Sequence, residues 1–579
     1  MESLAGTVGG AGARLARASF LACLCLAFGA GAGCTGKVLA PGSNSGVGSS
    51  PGSAGNGNGS GAGGAGPGVT PQAGAAVVRR LNRMEYNNTV KDLLGTTLAP
   101  ANDFPEDDLG GEFDTVGEAL SLSPTYVAGY EKAAYALVTD LLAADATRRG
   151  RIITCDVTSA GDACAQTILG AFARRAWRRP VTAEEVQTLM TPIAAAKTAG
   201  ATAAEGLQYA LATVLLSPFF IFKPEILADP NSTQPQRLGP YELATRLSYA
   251  LWSSMPDDAL SAAADAGQLA ADAQLATQID RMLADPRADA LLDAFAGQWL
   301  AYRALPTHEV EATAFPQFTP ALANSMALEA RRFVQEFLRS DRPVTEMLTA
   351  RFTFVDASLA TLYGITRPAG SAAGTLVRVD TTTAPRSGIL TLGAFLTGTS
   401  LPSRTSPVKR GEFVFNRLLC QTIGQPPPDV PPLSEGDTAT TLTLRQRMEE
   451  HRKNPACSPC HSLMDPIGFG LENYDAIGRY RTTDVAGTID ASGVLPDGTS
   501  FNGAVDMAGV LGRDARFSDC VTRKFMTFAV GRLLNQPTDG ALVASLATKA
   551  RAASGSFTSI VRQVLLSDGF RSRQGRPGP

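Results

Sequence analysis

Five consecutive residues, Cys457-Ser-Pro-Cys460-His461, carry the clearest chemical signal in this 579-residue chain. Two thiols separated by two residues can add to the two vinyl groups of haem, and the histidine that follows is placed to ligate the iron; this is the attachment pattern of c-type haem. With nine cysteines and three histidines available, such a pattern arises by chance in about one chain in a thousand. The same spacing also suits a disulfide, or a structural zinc site completed by His451 or His461 and Cys420, although the zinc reading lacks a second C-x-x-C. Haem c is the leading cofactor and zinc the minor alternative.

A sixth iron ligand is sought downstream, where Met507 and Met526 are the candidates. Met464 lies only three residues from His461, and His451 precedes the motif. Methionine is more often a packing residue, so an open sixth position is the competing expectation. Asp465, Glu472, Asp475 and Arg479 cluster just after the motif and are expected to serve salt bridging and capping rather than catalysis. Of the other cysteines, Cys23 and Cys25 fall in an export signal and Cys34 is a lipid-anchor candidate. Cys155 and Cys164 flank a short loop and can pair in an oxidising compartment, which leaves Cys420 and Cys520 for a long-range disulfide.

Other chemistries lose support. From residue 77 onward the chain has no G-x-S-x-G, Walker loop, H-E-x-x-H or Rossmann glycine pattern, so serine-hydrolase, nucleotide-binding and zinc-protease readings are disfavoured. His308 lacks metal-ligand spacing and reads as a surface or packing residue. Lys and Arg total 51 against 54 for Asp and Glu, with 44% apolar residues, and this balance points to no nucleic-acid partner.

The elements that must position the motif are mainly α-helical. Tyr86, Val90, Leu93 and Leu94 repeat at helical spacing with Gly95 as a stop. Ser123-Pro124 predicts an N-cap and first-turn proline for a helix that buries Val127, Tyr130, Ala134, Leu137, Val138 and Leu141. A helix is predicted from Cys164 to Arg179, and Thr182-Ala-Glu-Glu185 matches a capping box for the next. The apolar run from Leu207 to Phe222 is interrupted by Pro218 and falls short of a membrane span, so it reads as a buried helix. Helical spacing continues through 241–252, 276–300 and 321–338. After Gly388 the prolines at 426–428 and 431–432 imply irregular structure, 489–501 around Pro496-Asp497-Gly498 predicts a short hairpin, and 520–534 and 556–566 return to helix.

Arg14, Arg17 and the short apolar stretch from Phe20 to Phe28 predict a signal peptide over residues 1–34, ending at Cys34 in a lipoprotein-type site. Residues 35–76 are almost entirely Gly, Ser, Ala, Asn and Pro and read as a flexible tether, with an end-to-end span on the order of 35 Å. Ala30-Gly31-Ala32 also offers an ordinary A-x-A cleavage, with plain secretion as the alternative, so the expected location is outside the cytoplasm, as an outer-membrane or periplasm-facing lipoprotein or on the cell surface.

Several of these stretches resemble a multi-domain family of planctomycetes and myxobacteria built from domains of unknown function 1587, 1595, 1592, 1588 and 1585, in that order. The resemblance rests on Leu81-Asn-Arg-Met-Glu-Tyr-Asn-Asn88, Ala176-Trp-Arg-Arg-Pro180, Thr353-Phe-Val355 and Thr405-Ser-Pro-Val-Lys-Arg-Gly411. Its most specific part is the C-x-x-C-H run leading into Asp465-Pro-Ile-Gly-Phe-Gly-Leu-Glu-Asn-Tyr-Asp475. It implies helical domains in tandem over 77–146, 150–226 and 236–365, a haem-motif domain over 385–482 and a helical C-terminal domain over 485–573. The expected fold is mainly α, with a loop-rich, cytochrome-c-like C-terminal region containing the hairpin. The resemblance also implies a cell-envelope setting, and it implies no reaction. The leading expectation is thus a haem-bearing envelope lipoprotein that transfers electrons to an unnamed redox partner or oxidises an external substrate. The alternative is a non-enzymatic surface scaffold or a polysaccharide-binding protein with structural cysteines.

Overall fold

Capping chemistry sets where the helices begin. In the computed structural model, which describes residues 78–423, 442–484, 487–534 and 538–575, strand β1 (Arg79–Arg80) leads into helix α1 (Arg83–Leu94). The Asn82 side chain accepts from Glu85 N–H, the Glu85 carboxylate accepts from Asn82 N–H, and Gly95 closes the helix at φ 63°. This reciprocal cap satisfies donors that a helix start leaves without partners. The expected signal peptide, Cys34, the linker and the proline run at 426–432 lie outside the described residues.

Ser123 and Pro124 start α2 (Pro124–Ala143) as expected. Its buried face differs by one position: Tyr126 turns inward and Val127 is 52% exposed. Position 126 lies four residues before Tyr130, whereas 127 falls off the stripe that continues through Ala134, Leu137 and Leu141. Helix α3 (Val157–Trp177) bends at Gly161, φ 62°, and the expected Cys155–Cys164 disulfide spans its start. The apolar run after Leu207 is not one helix. It divides into α4 (Ala203–Leu216) and, after Ser217, a short turn begun by Pro218, because proline supplies no N–H for a continuing helix.

Strand β2 (Phe222–Lys223) pairs antiparallel with β1, and these N-terminal elements enclose one hydrophobic core around Tyr86, Phe104, Tyr130, Leu211 and Phe220. A second, larger core runs from Phe113 through Trp252, Phe295, Trp299 and Phe333 to Phe525 and Phe570. It draws on the three segments that follow residue 236, so they share their apolar interior.

Strand β3 (Gln236–Arg237), helix α5 (Pro320–Leu338), helix α6 (Pro407–Phe413), helix α7 (Leu444–His451) and helix α8 (Ser458–Phe469) follow in order. The predicted hairpin forms from β4 (Ser492–Val494) and β5 (Ser500–Asn502), with Gly498 at φ 86° in its turn. Helix α9 (Ala515–Val530) then crosses back, and β6 (Ser572–Arg573) pairs with β3. Among the described residues the sheets are two-stranded antiparallel ribbons, so the fold is mainly α. No described helix is long and apolar enough to cross a membrane.

Candidate functional site

Helix α8 begins at the C-x-x-C-H motif, with Cys457 at its N-cap position and Pro459 in its first turn. Cys457, Cys460, His461 and Met464 then recur at i, i+3, i+4 and i+7, which places them on one helix face. That face lines a cavity of about 990 Å³, at the upper end of the roughly 300–1,000 Å³ typical of cofactor sites. Neither Cys457 nor Cys460 is in a disulfide. One turn on, His461 Nδ1 lies 3.0 Å from Asp465 Oδ1. Asp465 is fully buried, and its Oδ2 has no hydrogen-bond partner among the described residues. A carboxylate on Nδ1 favours the tautomer with its proton there, which leaves the Nε2 lone pair for a metal.

Two glycines bring α8 against α6. A Cβ at Gly411 would lie 2.1 Å from the Met464 carbonyl oxygen, and one at Gly468 would lie 2.1 Å from that of Pro407. The helices therefore cross backbone to backbone. Between these contacts Arg410, fully buried, donates to the carbonyls of Leu471 (2.7 Å), Tyr474 (2.9 Å) and Asp475 (2.9 Å). Burial lowers its pKa to about 10, against the opposing pull of Glu472, so the guanidinium stays charged at neutral pH. Glu472 also accepts from Thr405 Oγ1 at 2.7 Å and Arg481 Nη2 at 3.1 Å. Asp475 accepts from the N–H groups of Ile477 (3.0 Å) and Arg479 (2.8 Å). These acidic residues hold the loop after α8 in place, as the sequence suggested, and none of them lines the cavity.

The remaining walls come from distant parts of the chain. The Cys420–Cys520 disulfide joins the turn after α6 to α9, and Cys420 itself lines the cavity. Helix α9 contributes Arg523, Lys524 and Thr527, and the loop before α2 contributes Gly111, Glu112 and Phe113. Lys524 Nζ donates to both oxygens of Glu112 at 2.6 Å. Burial pulls the lysine pKa down and the Glu112 charge opposes that shift. Sequence reasoning missed this pair, since neither residue sits in a motif and 412 positions separate them.

Other expected site residues lie elsewhere. Met507 and Met526 are fully buried in the larger core and are absent from the cavity wall. Both sit on helix faces that pack inward, Met507 beside Gly470 and Met526 beside Gly569. Cys420 is a half-cystine and so cannot complete a zinc site. Among the described residues no group of three or more His, Cys, Asp or Glu is arranged to hold a metal ion. The His451 ring meets His461 edge to face at 5.1 Å, and half-buried His308 lies away from the cavity.

Family profiles match five consecutive stretches, each described as a protein of unknown function: DUF1587 over residues 79–143, DUF1595 over 164–225, DUF1592 over 238–365, DUF1588 over 386–484 and DUF1585 over 497–570. The fourth, which holds the C-x-x-C-H motif, bears the name PSCyt3, a hint of a cytochrome-like domain. No curated protein and no solved structure matches the chain. With all five domains present in this order, the chain belongs to the multi-domain family of unknown function that they define.

Proposed function

We propose that the protein is an exported, lipid-anchored haem protein, in which Cys457 and Cys460 hold a c-type haem covalently and His461 ligates its iron. The observation that carries this reading is the face of α8 on the 990 Å³ cavity: two cysteines outside any disulfide and a histidine, all on one wall. The residues fit the group. Each thiol would add its S–H across a vinyl C=C, sulfur to one carbon and hydrogen to the other, so attachment balances without an oxidant or reductant. Asp465 orients the His461 ring through Nδ1 and raises the basicity of Nε2. Phe113, Val408, Leu533 and Leu534 supply apolar patches on a wall that also carries Glu112, Glu412, Arg523 and Lys524. When bound, the haem supplies one-electron chemistry, and the protein acts in electron transfer or in oxidation of an extracytoplasmic substrate. Cys34 carries the lipid, and residues 35–76 tether the body to the envelope.

The test is expression with a c-type maturation system, followed by a pyridine haemochrome spectrum and the mass of the peptide spanning Cys457 to His461. A c-type spectrum with haem mass on that peptide is expected. A colourless protein with unmodified or mutually bonded cysteines would overturn the reading in favour of a surface scaffold.

A further inference from the structure

Among the described residues the cavity wall is short of the histidine and methionine side chains that commonly ligate haem iron. Of the three histidines and eleven methionines in the chain, His461 and Met464 are the ones among the described residues that line it, and both belong to the same face of α8. The undescribed stretches 424–441, 485–486 and 535–537 contain neither residue type. Lys524 is the one amine on the wall. Its Nζ donates to both oxygens of Glu112 at 2.6 Å, which directs its N–H groups at a carboxylate, and in the ammonium form it has no lone pair to give a metal. An ammonium has three N–H donors, and the two contacts to Glu112 leave one for the cavity that the residue lines.

We infer that the cavity provides no sixth iron ligand from the chain, and that the Lys524–Glu112 pair positions a small anion brought from outside. This rests on the haem reading above. The ligand class is a one- to three-atom anion, such as azide, cyanide or hydroperoxide, whose charge the Lys524 N–H stabilises. A hydrogen bond from a charged donor is among the stronger ones available. Lys524 and Glu112 are positioning residues here; the iron is the binding atom.

The experiment uses the full chain matured with haem, once covalent haem is established. Its ferric optical and electron paramagnetic resonance spectra are recorded at pH 7 and it is titrated with sodium azide. A high-spin ferric spectrum that converts on azide binding is expected. K524M is expected to weaken azide binding about tenfold at unchanged haem content, and the K524M/E112Q double variant, which leaves no lone buried charge, is expected to match it. A low-spin protein without added ligand would overturn the inference. Return to high spin in M464L or K524M would then assign the sixth ligand to that residue, and persistence in both would assign it elsewhere in the chain. Equal azide affinity in wild type and K524M would overturn the role of the lysine. A protein carrying no covalent haem would overturn the haem reading and this inference together, a result distinct from each of the others.

Discussion

The buried charges around Glu225 and those around His461 are organised in different ways. Glu225 Oε1 accepts from Arg79 Nη2 (3.3 Å) and Arg246 Nε (2.7 Å), and Oε2 from Arg246 Nη2 (2.5 Å) and Arg573 Nη1 (3.0 Å). One carboxylate thus joins the first strand of the body to the last, and no acceptor on it is left over. Along α8, by contrast, Asp465 Oδ2 is buried with no hydrogen-bond partner among the described residues, His461 meets Asp465 through Nδ1, and two cysteines stay outside the disulfides on a cavity wall. A carboxylate with both oxygens matched is what structure alone requires, because a buried charge with no partner is costly. Polar capacity left over beside a cavity instead points to a ligand.

Four measurements would break or sharpen this contrast. The largest effect is expected from C457A/C460A, which should reduce covalent haem to background. Compared as haem-free proteins, the double variant and the wild type should unfold in urea at nearly the same concentration; a large loss of stability would move the motif into the structural class. E225A should do the reverse, costing about 3–5 kcal/mol in urea unfolding by leaving Arg79, Arg246 and Arg573 without their carboxylate. Unchanged stability in E225A would show that the cluster is not what closes the body.

The third is an acid titration. Burial alone would raise the Glu225 pKa, but Arg246 and then Arg79 outweigh it and hold the carboxyl at about 2, below its ordinary 4.5. A depressed folded-state value means the stabilisation is fully present above the unfolded pKa and is lost as pH falls through the folded one. Stability should therefore drop by roughly 2–4 kcal/mol between about pH 4.5 and 2, and E225Q should flatten that part of the profile. An identical slope in E225Q would assign the acid sensitivity to other carboxylates. The smallest effect is expected from G468A, which forces α8 from α6 and should cost about 1–3 kcal/mol. It should also lower the haem retained per chain; full stability and haem content would show that the glycine crossing does not set the cavity wall.

Much of the scaffold was legible locally. Ser123 and Thr182 announced helix starts, Gly95 announced a stop, and Pro496-Asp497-Gly498 marked the hairpin, because caps and turns depend on side chains a few positions away. The disulfides at Cys155–Cys164 and Cys420–Cys520 followed from counting cysteines. Val127 was misplaced because one residue at a helix edge moves in or out with the exact phase of the buried stripe. Met507 and Met526 were credible only by separation along the chain, a quantity that says nothing about which way a helix faces. The i, i+4 spacing of His461 and Asp465 was a usable signal for their contact, whereas Glu112 and Lys524 offered none.

By itself the sequence determined the covalent chemistry on offer: the order of two thiols and an imidazole, and a helical spacing that puts them on one face, since both depend only on neighbours within two turns. Tertiary structure alone decided what that face looks at. The cavity's other walls arrive from the loop at 111–113, the turn after α6 and helix α9, and their meeting depends on how two shared apolar cores pack. Local spacing carries no record of that packing, because burial is set by the summed fit of residues hundreds of positions apart.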